Sequence, residues 1–520
     1  MKEKRRIYIH IGVYFKNFKF FELRGVTLSD EEALTKLINC GFLVSHDLKD
    51  CIKENEVEPL IEFINKNFEK KPCFLDKNIY DAFKNTSNSE KKCEIVEVEK
   101  AVNFKRENIE LKVYAKKNYV HTNRKLDIND WVNYYLDRYH KLSEMLKNRD
   151  ELKGVLSISK LKNATGRVAV IGMVKDIQKT NNNNYILTLE DPTDEIKVFL
   201  KGEIAKKAEE IVYDEVLGVA GSKNKDIIYA DNLVFPDIPE RPIKKAEDEI
   251  YAAFISDIHI GSNMFLPKEF QSMIDWLNGK VGDNLQMEMA KKVKYLFITG
   301  DLVDGVGVYP GQEKELLISD IFKQYESFSK YIEQIPDDIK IIVCPGNHDA
   351  LRLDEPQHAI FRDMAEALYK KPNVTMVSNP SLVNIHNVGK FPGFDILMYH
   401  GYSFDHYVSE VPSLRKCGYE RADKIMEFLL KKRHLAPTHG STVITPAPQD
   451  FLIIDKLPDV FVTGHIHMAK VGRYKNILTV SSSCFQDRTA FQEKLGHHPE
   501  PGRVPIMNLQ KNEVKMLRFR

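Results

Sequence analysis

The segment "IKIIVCPGNHD", residues 339–349, joins a run of apolar and β-branched residues to a glycine and three polar residues. Continuous apolar runs of this length are typical of strands that are buried on both faces of a parallel sheet. In such sheets, functional side chains collect beyond the carboxyl ends of the strands. The segment therefore predicts a buried strand in an α/β domain, with Asn347, His348 and Asp349 at a functional edge.

Four other segments repeat this plan of a hydrophobic strand that ends in glycine or a polar residue. They are "AAFISDIHIG" (252–261), "YLFITGDLVDG" (295–305), "DILMYHGYS" (395–403) and "DVFVTGHIH" (459–467). Each segment alone is also compatible with an ordinary hydrogen-bonded turn. Because five occur in series and each follows a predicted strand, we expect their polar ends to converge on one site.

The bulk composition predicts a soluble globular protein in which positive and negative charges are nearly balanced. The chain has 520 residues and a formal net charge of +1, so its charge provides no global argument for a polyanionic partner. The seven cysteines are scattered and form no C-x-x-C pair, which argues against a disulfide framework and a structural zinc site. No apolar stretch approaches the ~20 residues that span a bilayer. We expect a cytoplasmic protein without membrane contact.

The chain ahead of the motifs changes composition several times, and five regions are predicted. Ser29–Phe68 begins with a serine cap and carries apolar residues at helical spacing, which indicates a helical domain. The predicted regions are a mainly helical domain over 1–70, a linker with expected disorder over 71–127, a connecting helix over 128–150, an all-β barrel over 151–242 and the α/β domain over 243–520.

The predicted barrel consists of five short β-rich runs with a helical insert around residues 203–211. Turn signals separate the runs, including the polar loop 181–184. This pattern favours a small barrel of the OB type. Such a barrel would bind single-stranded nucleic acid or dock a protein, and few aromatic residues lie on the predicted binding strands to stack bases.

The motif order D-x-H, G-D, G-N-H-D, H-G and G-H-x-H resembles the signature of the calcineurin-like metallophosphoesterases over residues 251–485. The resemblance implies a four-layer α/β sandwich that holds two divalent cations. Oxygen and imidazole ligands suit Mn²⁺, which we expect, with Fe or Zn²⁺ as alternatives. The implied ligands are Asp257, His259 and His467 for the first ion, Asn347, His400 and His465 for the second, and Asp301 as the bridge between them.

The same resemblance assigns catalytic roles to the residues that follow Asn347. His348 is expected to lie beside the cations without binding them, where it would protonate the leaving oxygen or stabilise the transition state. Asp349 is expected to orient His348.

A barrel that leads directly into a phosphoesterase also resembles the small subunits of archaeal family-D DNA polymerases, over about residues 150–520. That resemblance implies a 3′→5′ proofreading exonuclease that acts on DNA 3′ ends beside a large polymerase subunit, in the cytoplasm and associated with the nucleoid. The related accessory subunits of eukaryotic polymerases have lost the metal ligands and serve as scaffolds, whereas this chain retains every ligand position. A scaffold role and a phosphoesterase with a non-nucleic-acid substrate are the alternatives.

A basic cluster precedes the last motif in "KKRHLAPTHG", residues 431–440. Lys431, Lys432, Arg433 and His434 would be suited to hold a DNA phosphate backbone. A solvated helix end is an equally weighted interpretation. His439 and the first 25 residues receive no predicted role.

Overall fold

The computed structural model describes residues 36–37, 40, 42–44, 56–67, 74–75, 79–80, 83, 95–96, 111–121, 124–494 and 497–519. The chain forms two compact units, Met1–Cys93 and Glu94–Arg520. The predicted helix start at Ser29 and most of the predicted linker lie outside the described residues.

The helices and strands are numbered in chain order over the described residues. The helices are α1 Val57–Asn67, α2 Ile128–Lys147, α3 Glu203–Lys207, α4 Pro267–Leu277, α5 Asn284–Lys292, α6 Ile321–Ile332, α7 Glu366–Lys370, α8 Phe404–Glu410, α9 Pro412–Cys417, α10 Ala422–Lys432 and α11 Ala490–Lys494. The strands are β1 Leu43–Val44, β2 Phe74–Leu75, β3 Ile95–Val96, β4 Val113–Asn118, β5 Gly166–Lys179, β6 Tyr185–Asp191, β7 Asp194–Leu200, β8 Val216–Asn224, β9 Ile227–Val234, β10 Tyr251–Ile255, β11 Val293–Thr299, β12 Lys340–Cys344, β13 Val374–Met376, β14 Ser381–Ile385, β15 Phe394–Met398, β16 Val460–Thr463, β17 Lys470–Tyr474, β18 Ile477–Ser481, β19 Arg503–Asn508 and β20 Glu513–Arg518. None of these helices is long and apolar enough to cross a membrane.

The first unit contains α1 and a short parallel pair formed by β1 and β2. Val57, Leu60 and Ile64 of α1 are buried at a spacing that places them on one face of the helix. They form a small core with Leu75 of β2. The described part of this unit therefore contains a parallel strand pair beside the helix that the sequence predicts.

Two sheets form the centre of the second unit. Among the described residues, one sheet has the order β13-β12-β11-β10-β19-β20-β3 and the other has the order β17-β18-β16-β15-β14-β4. Their inner faces share a core that includes Phe254 and Phe297 from the first sheet and Met398 and Val462 from the second. Helices α4 and α6 cover the outer face of the first sheet, and α10 covers that of the second. The predicted four-layer α/β class is confirmed.

The linker prediction is wrong for residues 113–118, which form the edge strand β4. This strand pairs antiparallel with β14, and its register runs from Val113 opposite Ile385 to Asn118 opposite Ser381. Most of its side chains are exposed or half-buried. An edge strand needs few apolar residues because its main-chain hydrogen bonds supply the pairing, so "VYAKKN" lacks a clear strand pattern.

The barrel is closed and has the strand order β5-β6-β7-β9-β8. Helix α3 lies between β7 and β8 in the chain, at the position of the predicted helical insert. Leu187, Val198 and Val219 are fully buried in the barrel core. In β6 and β7, the residues on either side of Leu187 and Val198 are less buried, as expected for strands with one face toward the core. The five strands predicted from the sequence are therefore present.

The basic cluster at the end of α10 joins the barrel to the α/β domain, which corrects the predicted DNA-binding role. The buried Lys432 ammonium lies 2.7 Å from the Glu215 carboxylate, and Lys431 lies 2.7 Å from Glu210. The buried Arg433 guanidinium donates to the main-chain carbonyl of Ile454. Lys432 and Arg433 are therefore buried away from any phosphate backbone, and the partly exposed Lys431 already pairs with Glu210.

His434 is fully buried in the same junction and is held in a neutral form. Its Nδ1 accepts a hydrogen bond from the Ala436 N–H at 3.0 Å, and its Nε2–H donates to the Asp450 carboxylate at 2.8 Å. Arg138 of α2 donates to the same Asp450 oxygen at 2.8 Å. Protonation of Nδ1 would place a second donor against the Ala436 N–H.

We expect the stability of this junction to decrease in mild acid. Burial, assisted by the positive charge of Arg138, lowers the pKa of His434 to about 4, whereas an unfolded histidine titrates at about 6.5. The unfolded state therefore binds the proton more tightly, so the contribution of His434 is complete above about pH 6.5 and is lost as the pH falls to about 4. The free energy of unfolding should fall by about 3 kcal/mol over this window.

Urea denaturation at several pH values tests this expectation, with His434→Gln as the matched variant. The difference in stability between wild type and variant should shrink as the pH falls, because the variant has no ring to protonate. A difference that stays constant from pH 7 to pH 4 would contradict the role assigned to His434.

Candidate metal centre

The polar residues of the five motifs follow the ends of strands that run in the same direction. Strands β10, β11 and β12 are parallel neighbours in the first sheet, and β15 and β16 are parallel neighbours in the second. The residues that follow these strands meet where the two sheets come together. The structure brings together all seven side chains that the sequence predicts as ligands: Asp257, His259, Asp301, Asn347, His400, His465 and His467.

Asp301 lies at the centre of this group. Its Oδ2 is 3.7 Å from Nε2 of His259 and 3.3 Å from Nε2 of His400. These two histidines belong to different predicted ligand sets. Although burial opposes ionisation, the surrounding histidines hold the pKa of Asp301 well below its usual range. The position of Asp301 between the two sets is the position that a bridging carboxylate requires.

The hydrogen bond at one ring nitrogen of His400 directs the other, Nε2, toward oxygen atoms. Its Nδ1 lies 2.9 Å from the Thr299 carbonyl, so this nitrogen must carry a proton and donate. Its Nε2 then faces the Asn347 Oδ1 at 2.9 Å and Asp301. Despite the effect of burial, the Asp301 carboxylate raises the pKa of His400 to about 10. In a neutral ring, the lone pair of Nε2 would face the oxygen atoms of Asn347 and Asp301, which are also electron donors. A cation bound between these three atoms would satisfy all of them.

The first predicted ligand set shows the same convergence of acceptors. Nε2 of His259 and Nε2 of His467 are 3.1 Å apart, and Nε2 of His467 is 3.4 Å from Asp257 Oδ1. The Nδ1 atoms of both rings are used elsewhere, by Asp304 and by Gln492 respectively. This donor set of imidazole nitrogens and carboxylate oxygens fits a divalent transition metal.

The glycines of the motifs provide space for the ligands. A Cβ atom on Gly346 would lie 2.2 Å from Asp301 Oδ1 and 2.8 Å from Cε1 of His400, and one on Gly300 would lie 2.3 Å from Nδ1 of His400. Five ligand residues also have positive φ angles, between 51° and 73°. Backbone strain of this kind collects at functional sites. These five residues are Asp257, His259, Asp301, His465 and His467.

We expect Gly346→Ala to lower the affinity of the centre for divalent metal more than replacement of a glycine whose new methyl group meets no other atom. The new methyl group would displace Asp301 and His400, so divalent-metal affinity should fall while the two-sheet fold is retained. Gly307→Ala is the control, because no atom lies within 4 Å of the position that its new methyl group would take, so that the strain of its positive φ of 76° falls on the backbone and not on a predicted ligand. Isothermal titration with Mn²⁺ would distinguish the two, and equal affinities in both variants would contradict the steric explanation.

The structure places His348 next to the predicted ligands and corrects the predicted role of Asp349. The His348 ring lies beside His259, with ring centroids 4.7 Å apart, and its Nδ1 contacts the Asp304 carbonyl at 2.8 Å. Asp349 makes no hydrogen bond to His348. It instead accepts hydrogen bonds from the Gly346 N–H and the Tyr325 hydroxyl, at 2.8 and 2.9 Å. Its buried carboxylate therefore shapes the loop that carries Asn347 and His348.

Asp304 is a residue of the centre that the sequence reasoning did not select. Its carboxylate lies 3.1 Å from Nδ1 of His259, and its main-chain carbonyl holds Nδ1 of His348. Gln312 and Gln486 donate to the same carboxylate. Asp304 thus orients one predicted ligand and the predicted proton donor together. Its position in "GDLVDG", three residues beyond Asp301, was the available signal.

Asp405 is a second residue that the sequence reasoning missed. It lies at the start of α8, and its Oδ2 is 3.0 Å from Nε2 of His465. This contact leaves Nδ1 of His465 directed at the Asn347 Oδ1, 3.1 Å away. Carboxylates that bind the outer nitrogen of a ligand histidine fix its tautomer and orientation. The centre lines a pocket of about 280 Å³, with Tyr309, Tyr402 and His497 on its walls.

Comparisons with known sequences relate this chain to subunits of DNA polymerases. The profile of the family of B subunits of DNA polymerases alpha and epsilon matches residues 252–472. The DNA polymerase II small subunit of Methanothermobacter thermautotrophicus is 43% identical over 397 residues, which cover 76% of this chain and 80% of that protein. The corresponding protein of Methanocaldococcus jannaschii is 42% identical over 392 residues, which cover 74% of this chain and 64% of that protein. Among solved structures, an archaeal phosphodiesterase has 15% identity and a TM-score of 0.26, with coverage of 52% of this chain and 99% of its own.

Proposed function

The chain belongs to the family of archaeal DNA polymerase II small subunits, and we propose that it is the 3′→5′ proofreading exonuclease of a two-subunit replicative DNA polymerase. The observation that carries the proposal is the position of Asp301 Oδ2 between His259 and His400, within a complete set of donor side chains. A polymerase subunit that served only as a scaffold would have no need of converging acceptors or of strained backbone at these residues.

The centre would hold two divalent cations, for which Mn²⁺ is the proposed species. When bound, the cations would supply Lewis-acid polarisation of a DNA phosphodiester. The proposed ligands are those named above, with Asp301 shared between the ions. Asp304 and Asp405 would fix the orientation of His259 and His465 through their outer nitrogens.

His348 would exchange a proton with the reacting phosphodiester at Nε2. Its Nδ1 is engaged by the Asp304 carbonyl, which leaves Nε2 as the titratable atom. Once protonated at Nε2, the ring would give that proton to the leaving oxygen or stabilise the charge of the transition state. A pocket of about 280 Å³ is the size of a small-ligand site, which supports action on one unpaired terminal nucleotide.

A large polymerase subunit is the proposed partner, because the relatives are small subunits of a DNA polymerase. It would hold the primer–template while this chain receives the mismatched 3′ end. A scaffold role is the second candidate, because the matched family profile describes accessory B subunits of DNA polymerases alpha and epsilon.

A panel of substrates tests the proposal on the purified chain, alone and with its large subunit. A 3′-mismatched primer–template should lose its terminal nucleotide in Mn²⁺ and remain intact in EDTA. p-Nitrophenyl phosphate and a phosphopeptide should be poor substrates under the same conditions. Normal assembly with the large subunit without any DNA hydrolysis would support the scaffold role, whereas preferential hydrolysis of either control would support a different substrate.

A further inference from the structure

We propose that a trough beside the metal centre binds the unpaired DNA strand immediately upstream of the scissile phosphodiester, and this inference rests on the proposed function. The trough is lined by Trp131, Tyr402, Asp405, His406, His439 and residues 440–444. Its ligand would be a single strand of DNA whose bases stack on the aromatic side chains.

The trough adjoins the pocket of the metal centre. It has a volume of about 530 Å³, and Tyr402 and Asp405 line both the trough and the pocket. A strand whose end occupies the pocket would therefore pass directly into the trough. The pocket itself, at about 280 Å³, is too small to admit duplex DNA, so the strand that enters it must be unpaired.

Two aromatic rings of the trough are held in fixed orientations before any ligand binds. The Trp131 ring stacks on Tyr135 with centroids 6.3 Å apart and also makes an edge contact with His439 at 5.3 Å. The Tyr402 ring is perpendicular to His465, with centroids 5.7 Å apart. Both Trp131 and Tyr402 are half-buried, so part of each ring remains accessible. Bases of any sequence stack on such rings.

The charges of the residues that line the trough favour contact with the bases of the DNA strand and not with its phosphates. None of the described residues that line it is lysine or arginine, and its single carboxylate, Asp405, already contacts His465. Beyond Trp131 the surface becomes acidic, with Glu190, Asp191 and Asp214 lining the next groove. These carboxylates would repel a phosphate backbone, so the bound strand should leave the protein near Trp131.

Tryptophan fluorescence reports this interaction without any requirement for catalysis. The chain has two tryptophans, and Trp276 is completely buried under the first sheet. Quenching by added DNA would therefore report Trp131. In EDTA, single-stranded oligothymidylate should quench the emission, and a blunt duplex of similar length should not. Because no lysine or arginine is among the described residues of the trough, the apparent Kd should rise only weakly with salt.

Variants of the full chain test the assignment by fluorescence anisotropy of labelled oligothymidylate. Trp131→Ala should raise the Kd about 5- to 150-fold, the range expected for loss of one stacking platform. Trp131→Phe should recover most of the affinity because it retains a ring. Phe322→Ala is the matched control and should bind like wild type, since Phe322 is 54% exposed and does not line the trough.

The outcomes separate this inference from the exonuclease proposal. Quenching and a weakened Trp131→Ala variant would support the trough even in a chain that hydrolyses no DNA. An unchanged Kd in Trp131→Ala would overturn it even in an active exonuclease. Weakened copurification of Trp131→Ala with the large subunit, together with an unchanged Kd for DNA, would identify the trough as a protein interface instead.

Discussion

Asp301→Ala should lose at least one divalent cation and nearly all hydrolysis of DNA. The substitution removes the carboxylate whose Oδ2 faces both His259 and His400, so two bound cations would repel each other without this shared anion between them. The loss of rate should exceed the about 10³-fold that accompanies loss of a single electrostatic stabiliser. Metal content by mass spectrometry and release of labelled nucleotide should fall together in the same preparation.

Asp231→Ala provides the matched control for this prediction. Asp231 is an exposed barrel carboxylate that pairs with Arg167, and its removal should change neither metal content nor rate. Retention of two cations and full activity in Asp301→Ala would be incompatible with a bridging role.

His348→Ala should slow hydrolysis of DNA without loss of the bound cations. The His348 ring contacts His259 and the Asp304 carbonyl, and the predicted ligands do not include it. Loss of a general acid typically slows a reaction by ~10²–10⁴-fold. The variant should therefore fold normally, bind both cations and associate with the large subunit, yet remove 3′ mismatches slowly.

Asp301→Ala and His348→Ala should differ in metal content although both should lose activity. Metal stoichiometry and exonuclease rate should be measured together for wild type, Asp301→Ala and His348→Ala. Loss of metal in His348→Ala would make His348 a ligand. An unimpaired rate would exclude it from proton transfer.

The layered fold and the convergence of the motifs were predictable because both depend on local patterns. A run such as 340–344 specifies a buried strand by its own residues, and parallel neighbours place their ends together. The glycines before Asp301, Asn347 and His465 were also visible, although the reason for them is the close approach of side chains from other motifs.

Two of the errors concern contacts between distant parts of the chain, and the third concerns a turn within one loop. Lys432 has the composition of a phosphate-binding residue, but its partner Glu215 lies 217 residues away, so its burial could not be inferred from the charge run. Asp405 has no spacing relationship to His465, and only the position of α8 brings them together. Asp349 follows His348 directly, yet the loop turns its carboxylate toward Gly346.

Single-turnover hydrolysis of a 3′-mismatched primer–template by the complex with the large subunit tests the central claim most directly. With Mn²⁺, the wild-type complex should release the mismatched residue as a mononucleotide before the primer is extended, and a complex that contains Asp301→Ala should extend or leave the mismatch uncut. Equal release of the mismatched nucleotide by both complexes would place the exonuclease outside this centre.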